Sequence, residues 1–579
     1  MEIIRRQKKQ GYEHPYVPEL KELYRQGRIS RRTFLRNAAL LGVSVASASA
    51  FLAACTTQAV PTVAPTSPPP TMPPTPTAVP TATPVPAPVV KRGGVMRFAQ
   101  RVPGIDHPAR FSWGDESEIC RFSIQYLTYT DRNNITVPYL LEKWEASEDL
   151  KTWTLFMRQG VKWTTGETFG ADDVIFTMNE WLNPDVGSSM LGLFSNLSAA
   201  NVEKVDDYTV KLYLDSPTVA VPENLYHYPG HVLDHRTFEG NWLDNPVGTG
   251  PFIMKEWSVG ERAVLEARKD GLYWENGADG KPLPYLDGIT AIDLGGDETA
   301  RVSALRDGTI DMIVLMGVGY QVAKELTGVT IDPVTTAMAP VLRVRVDVEP
   351  WTDPRVRKAL KLCQQRQKIL DLAYFGEGMI GGDFHVAPVQ PEYCPMDPFP
   401  YDPEQAKALL AEAGYPNGID TTLTVGTGWA DYVSFAEILK EGAAPAGIRI
   451  NINAIPNDSY WDVWTTCEMG ITGWGHRPLA IMTLPLAYVC DAEGVPVSWN
   501  ESGWCDEEFS QLLDQAVGTL DIEERRDLMC QIQTIQKERG SVLIPFWKNQ
   551  WFVFNPKFKG IQAHPAQYMD ELRFVWLDA

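Results

Sequence analysis

Thr421-Thr422-Leu423-Thr424-Val425, then Trp429 ahead of Phe435, Ile438 and Leu439, then Ile448-Arg449-Ile450-Asn451-Ile452-Asn453-Ala454-Ile455: this stretch decides the fold. Its two ends are rich in β-branched residues and read as strands. Between them Phe435, Ile438 and Leu439 fall on one face of a helix. The same alternation spreads outward. Asp353-Pro354 supplies an N-cap and an N1 proline ahead of Val356, Ala359, Leu360 and Cys363. Asp402-Pro403 does so for Ala406, Leu409 and Leu410, and that helix stops at Gly414 with Pro416 beyond. Asp521 and Glu524 form a capping box for a helix running to about Arg539 and ending at Gly540. Further strands are expected over 209–214 and 341–348. The reading is a mixed α/β protein with more than one sheet.

At 579 residues the chain is long enough for three or four ordinary domains or two large ones. It is 44% apolar and 22% charged, an ordinary globular composition. The formal net charge is −21, yet the first 54 residues hold ten basic and four acidic side chains. The remainder is therefore more acidic still. That balance excludes broad binding to nucleic-acid phosphates and a basic membrane-surface role.

Residues 30–35 read Ser-Arg-Arg-Thr-Phe-Leu, and an uncharged run from Ala38 to Ala54 ends at Cys55. A basic flank, a short apolar stretch and small residues describe an export signal. Arg31-Arg32 has the look of a twin-arginine signal, and Leu52-Ala53-Ala54-Cys55 that of a bacterial lipobox. The expectation is a discarded cytoplasmic segment over 1–30, a signal over 31–54, and a lipid on Cys55 holding the protein at the membrane. Residues 56–90 carry no charge and contain twelve prolines and nine threonines. Such a segment favours extended polyproline II and reaches on the order of 100 Å. It is read, with Cys55, as a tether over 55–92.

Enzyme motifs are absent from the sequence. Gly248-Thr249-Gly250, Gly317-Val318-Gly319 and Gly426-Thr427-Gly428 lack the third glycine of a dinucleotide fingerprint, and no phosphate loop occurs. No Gly-x-Ser-x-Gly elbow or His-Glu-x-x-His motif is present. No catalytic residue, metal site or cofactor is assigned. His231 and His235 are the only metal pair weighed, and His227 is separated from them by Pro229-Gly230. Cys490 and Cys505 flank a loop rich in Gly, Pro and Ser, and export permits a disulfide between them. Of Cys120, Cys363, Cys394, Cys467 and Cys530 at least one is expected free, with Cys363 and Cys530 read as small core residues. Tryptophan is the outlier at 18 residues, late in the chain especially, as core or as walls of a ligand cleft.

An ordered set of stretches resembles the solute-binding proteins of peptide-type ABC importers, extracellular solute-binding family 5. It comprises Leu140-Leu141-Glu142-Lys143-Trp144-Glu145, Trp153 through Trp163, Gly166-Glu167-Thr168-Phe169 and Ala171-Asp172-Asp173-Val174. Pro246-Val247-Gly248-Thr249-Gly250-Pro251-Phe252, Tyr273-Trp274, Asp353 through Leu360 and Gly503-Trp504-Cys505 complete it. The resemblance implies a two-lobed clamp: lobe I over 93–343 with a small subdomain at about 134–242, lobe II over 344–542, and a return to lobe I over 543–579. It implies capture of a peptide or peptide-like solute, delivery to an ABC permease with its ATPases, and no chemistry of its own. The alternatives are a carbohydrate binder of the same family and a sensor presenting bound solute to a membrane receptor. The protein is expected to act as a monomer, outside the cytosol.

In dipeptide-binding relatives an acidic residue after a Gly-Trp segment pairs with the ligand α-ammonium. Here the stretch is Gly473-Trp474-Gly475-His476-Arg477-Pro478, with Arg477 where the acid aligns. Arginine repels an ammonium and suits a carboxylate, a phosphate or a sugar hydroxyl. Trp474, His476 and Arg477 are expected to face the space between the lobes, with Trp429 on a neighbouring loop.

Overall fold

A computed structural model describes residues 90–111, 114–491, 493–566 and 570–578. Arg31, Arg32, Cys55 and nearly all of the tether lie outside the described residues. The larger sheet has eight strands. Thr330–Thr335, Phe546–Phe554, Met312–Leu315, Val95–Ala99, Gly288–Ile292, Arg262–Ala267 and Phe252–Ser258 follow in spatial order, and Gly378–Ile380 also pairs with Phe546–Phe554. Val95–Ala99 runs parallel to both of its neighbours.

The second sheet orders Ile448–Ile455, Ile419–Gly426, Met469–Trp474, Ala339–Val344 and Val542–Leu543. Ile419–Gly426 and Ile448–Ile455 are parallel, joined through the helix Ala430–Ala443. A crossover of this kind buries an apolar helix face, here Phe435, Ile438 and Leu439. A four-stranded antiparallel sheet of Leu141–Ala146, Thr152–Met157, Thr209–Tyr213 and Val202–Asp206 forms the small subdomain. Thr152–Met157 shows why: Trp153, Leu155 and Met157 alternate inward and are buried.

The helix caps follow local chemistry. Asp353 accepts from the Arg355 N–H ahead of the helix Pro354–Leu362, and Asp402 from the Gln405 N–H ahead of Pro403–Glu412. Gly414 adopts φ +97 just past that second helix. Asp521 accepts from the Glu523 and Glu524 N–H groups of Ile522–Arg539. At the other end of this helix Lys361 Nζ donates to the carbonyls of Gln536 and Lys537, at 2.6 and 3.0 Å, meeting the negative end of the helix dipole.

Gly248 and Gly250 are structural. A Cβ at Gly248 would lie 1.9 Å from the Ser123 carbonyl oxygen, and one at Gly250 2.4 Å from that of Phe122. The close approach allows Gly250 N–H to donate to Ser123 O and Phe252 N–H to Phe122 O.

Two expectations need correction. Strand 341–348 is Ala339–Val344 and belongs to the second sheet, as does Val542–Leu543. The chain thus passes from the first sheet to the second over 336–338 and back over 544–545. Thr336 N–H donates to Lys548 O at 3.0 Å, and Lys548 N–H to Met338 O at 2.8 Å, so the two crossing segments pair with each other. Cys530 is not a lone core thiol: it is bonded to Cys394, with Cα atoms 5.2 Å apart. Cys490 and Cys505 are bonded with Cα atoms 5.6 Å apart, within disulfide reach. Among the described residues Cys120, Cys363 and Cys467 are free, and no helix is long and apolar enough to cross a membrane.

Candidate functional site

The loop leaving strand Met469–Trp474 carries contacts between the lobes. His476 Nδ1 accepts from the Ala337 N–H at 3.0 Å. Its Nε2 then carries the proton and donates to Asn134 Oδ1 at 2.9 Å. Burial pushes the His476 pKa down to about 3, so the ring is neutral. Asn134 lies on lobe I with φ +60, in a turn organised by the Asp131 carboxylate, which accepts from the Asn133 and Ile135 N–H groups. Its Nδ2 also donates to Val389 O on lobe II at 2.9 Å.

Arg477 reaches the same way. Its Nη1 donates to His227 Nδ1 on lobe I at 3.0 Å, and its carbonyl accepts from Gln390 Nε2 at 2.9 Å. Burial, then the adjacent guanidinium, hold the His227 pKa well below its ordinary value, which keeps the ring a neutral acceptor. No carboxylate is a partner of Arg477 among the described residues.

Trp474 is placed differently from the expectation of a free wall. It is 9% exposed and packs in the interior. Its indole N–H donates to Glu501 Oε1 at 3.1 Å, and its ring meets His385 and Trp499 edge-on. The free space beside it is about 10 Å³, enough for at most one water. The cause is topological: Met469–Trp474 is an interior strand, flanked by Ile419–Gly426 and Ala339–Val344. Glu501 also accepts from Arg343 Nε and the Thr472 hydroxyl, so the indole completes a buried polar network.

Trp429 is half-buried at the start of the helix Ala430–Ala443. It is tilted on Tyr432 at 5.3 Å and edge-on to Trp461 at 5.7 Å. The next carboxylate, Asp431, is paired with Lys548 Nζ at 2.6 Å. The lobes also touch nearby: Tyr374 donates to Met316 O at 2.8 Å and Tyr320 to Glu377 Oε1 at 3.0 Å. Tyr320 stacks on Trp551 at 4.0 Å. Asn134 and Gln390 are not singled out by the sequence, and His227 stands out there only beside the histidine pair His231 and His235. Only the turn-forming run Asp131-Arg132-Asn133-Asn134 offered a signal for Asn134.

His231 and His235 take separate partners. His231 Nε2 lies 3.1 Å from the Tyr126 hydroxyl, and His235 Nδ1 2.6 Å from Asp173. Asp173, Asp234 and His235 converge closely enough to hold an ion. However, Asp173 also accepts from Trp163 and Gly170, and Arg236 pairs with both acids. The donor set is thus spent on structure.

The family of bacterial extracellular solute-binding proteins, family 5 (middle region), matches residues 136–490, more than half of the chain. Heme-binding protein A of Haemophilus influenzae is 28% identical, over 74% of this chain and 82% of that protein. Glutathione-binding protein GsiB of Salmonella typhi is 27% identical, over 68% and 77%. The periplasmic binding protein DppA of Helicobacter pylori, solved with the peptide STSA, superposes with a TM-score of 0.69 at 22% identity, over 84% of this chain and 99% of that one. That likeness shows the two-lobed fold. The chain belongs to family 5 of the bacterial extracellular solute-binding proteins.

Proposed function

We propose that this protein captures a peptide or peptide-like solute between its lobes outside the cytosol and delivers it to an ABC importer permease and its ATPases. It does so as a lipid-anchored monomer, exported by the twin-arginine route and held by Cys55, and performs no catalysis. The observation that carries the reading is the convergence of side chains from both lobes, His476 on Asn134 and Arg477 on His227. A ligand in that seam touches both lobes at once and favours the closed state by its differential contacts. Arg477, His476 and Trp429 are assigned to the ligand side of the seam, and Trp474 supports their loop from behind. Relatives named for glutathione, and for di- and tripeptides in Pseudomonas aeruginosa, support the peptide class. Seven of the 18 tryptophans, Trp153, Trp163, Trp181, Trp242, Trp351, Trp547 and Trp551, are fully buried in the cores, which removes them as stacking walls for a carbohydrate.

The test is calorimetry and thermal melting of the full-length protein with di-, tri- and tetrapeptides. A binding peptide at a hundredfold excess over Kd stabilises the folded state by about 2.7 kcal/mol. A saccharide that binds where every peptide fails would replace the peptide reading.

A further inference from the structure

The geometry points to Arg477 as an anion anchor, held in place by His227, that takes a carboxylate of the bound solute. The inference rests on the seam being the ligand site, and it fixes the charge class of what binds there.

A guanidinium carries five N–H donors in a rigid fork. Arg477 commits one of them, on Nη1, to the neutral imidazole of His227. Its remaining donors have no partner among the described residues, and none of these nitrogens is sealed from solvent. A half-buried, permanently charged fork with no counter-charge is an incomplete arrangement. The group that completes it is planar, anionic and bidentate, which describes a carboxylate.

The acids carried by the surrounding segments are engaged or sealed from solvent. Glu392, two residues beyond the Gln390 that holds the Arg477 carbonyl, accepts from the Ala480 and Ile481 N–H groups through Oε1, and its Oε2 is sealed from solvent. Glu501 serves Arg343, Thr472 and Trp474. Asp431, beside Trp429, is occupied by Lys548. A ligand ammonium finds its candidate partners engaged or sealed from solvent, whereas a ligand carboxylate finds an open fork. His227 is a positioning residue: as a neutral acceptor it steers the fork without supplying a competing charge.

The probes are N-acetylalanine, which carries a carboxylate, N-acetylalanine amide, which is neutral, and alanine amide, which carries an ammonium. Each is titrated into the full-length protein while the Arg477 Nε–H signal is followed by NMR, with Arg477→Lys used to assign it. N-acetylalanine is expected to shift that signal in a saturable way, with an affinity about tenfold or more above that of either amide. No saturable shift with N-acetylalanine, or equal response to all three, overturns the proposal. A protein that binds tripeptides by calorimetry with no carboxylate response at Arg477 keeps the peptide reading and loses this one. A protein that ignores tripeptides but retains the Arg477 response keeps the anion anchor and loses the peptide reading.

Discussion

Glu223→Gln is expected to gain stability over the wild type as pH rises from about 4.5 through about 7. Glu223 lies in the short helix Val221–Asn224 of lobe I. Its Oε2 is sealed from solvent without a hydrogen-bond partner among the described residues. Burial is the largest cause of its displaced pKa, pushed up from 4.5 to about 7. The Thr136 hydroxyl and Arg525 of lobe II pull the other way, and Glu392 of lobe II adds repulsion. Arg525 donates from Nη1 to the Thr519 carbonyl at 2.7 Å, and burial outweighs its attraction for either acid. A native pKa above the unfolded one means that the folded protein holds the extra proton. Stability is then fully present below about pH 4.5 and is lost as pH rises through about 7. At 1.36 kcal/mol per unit the loss amounts to about 3 kcal/mol. Glutamine cannot ionise, so the difference in stability between variant and wild type should grow by that amount from pH 4.5 to pH 8, as read from denaturation midpoints at a series of pH values. Parallel profiles for the two proteins would refute the argument that Glu223 is held protonated by burial.

Trp474→Ala should cost about 3–5 kcal/mol as a cavity in a packed core, and Trp474→Phe about 1–3 kcal/mol by orphaning a Glu501 oxygen. Thermal melts check both, and a Trp474→Ala protein of wild-type stability with lost ligand binding would return the indole to the cleft. Breaking Cys394–Cys530, which closes 136 residues, should destabilise more than breaking Cys490–Cys505, which closes 15. The chain-entropy relation gives about 5 against about 3 kcal/mol, read by denaturant titration of the Cys→Ser pairs. Cys55→Ser should abolish lipid labelling and release the protein from membranes. Arg31→Lys with Arg32→Lys should block export, and secretion of that double variant at wild-type level would show the signal to be of the general type.

What the sequence revealed was local. The Asp-Pro pairs at 353–354 and 402–403 combine cap and fixed φ in adjacent residues, so the helices they open could be placed from two letters each. Strand Ile448–Ile455 was equally plain from its alternation. Ala339–Val344 was misread at both ends because it is buried throughout and includes Pro340, which argues against an interior strand. The structure tolerates it because the outer neighbour Val542–Leu543 pairs only with Leu342 and Arg343, leaving Pro340 bonded on one side alone. The site was legible in residue type but not in company. His476 and Asn134 stand 342 residues apart, and Arg477 and His227 stand 250 apart; no periodicity links positions so distant. Composition could not sort the tryptophans either, since an indole suits a core and a ligand wall alike.

The strand Phe546–Phe554 has a consequence for the order of events in biosynthesis. Its Phe554 and Trp551 stand opposite Met312 and Leu315 on one side, and opposite Thr330 and Pro333 on the other. An interior rib of the first-made lobe is thus synthesised only after all strands of the second sheet. Until it arrives, Met312–Leu315 and Thr330–Thr335 present open edges with nothing between them, a hazard for wrong pairing. The second sheet has no such dependence: apart from the crossing Val542–Leu543, its strands lie between Ala339 and Trp474. The chain should therefore complete its second sheet first, and a message truncated before residue 546 should yield that sheet finished, attached to a first sheet that cannot close.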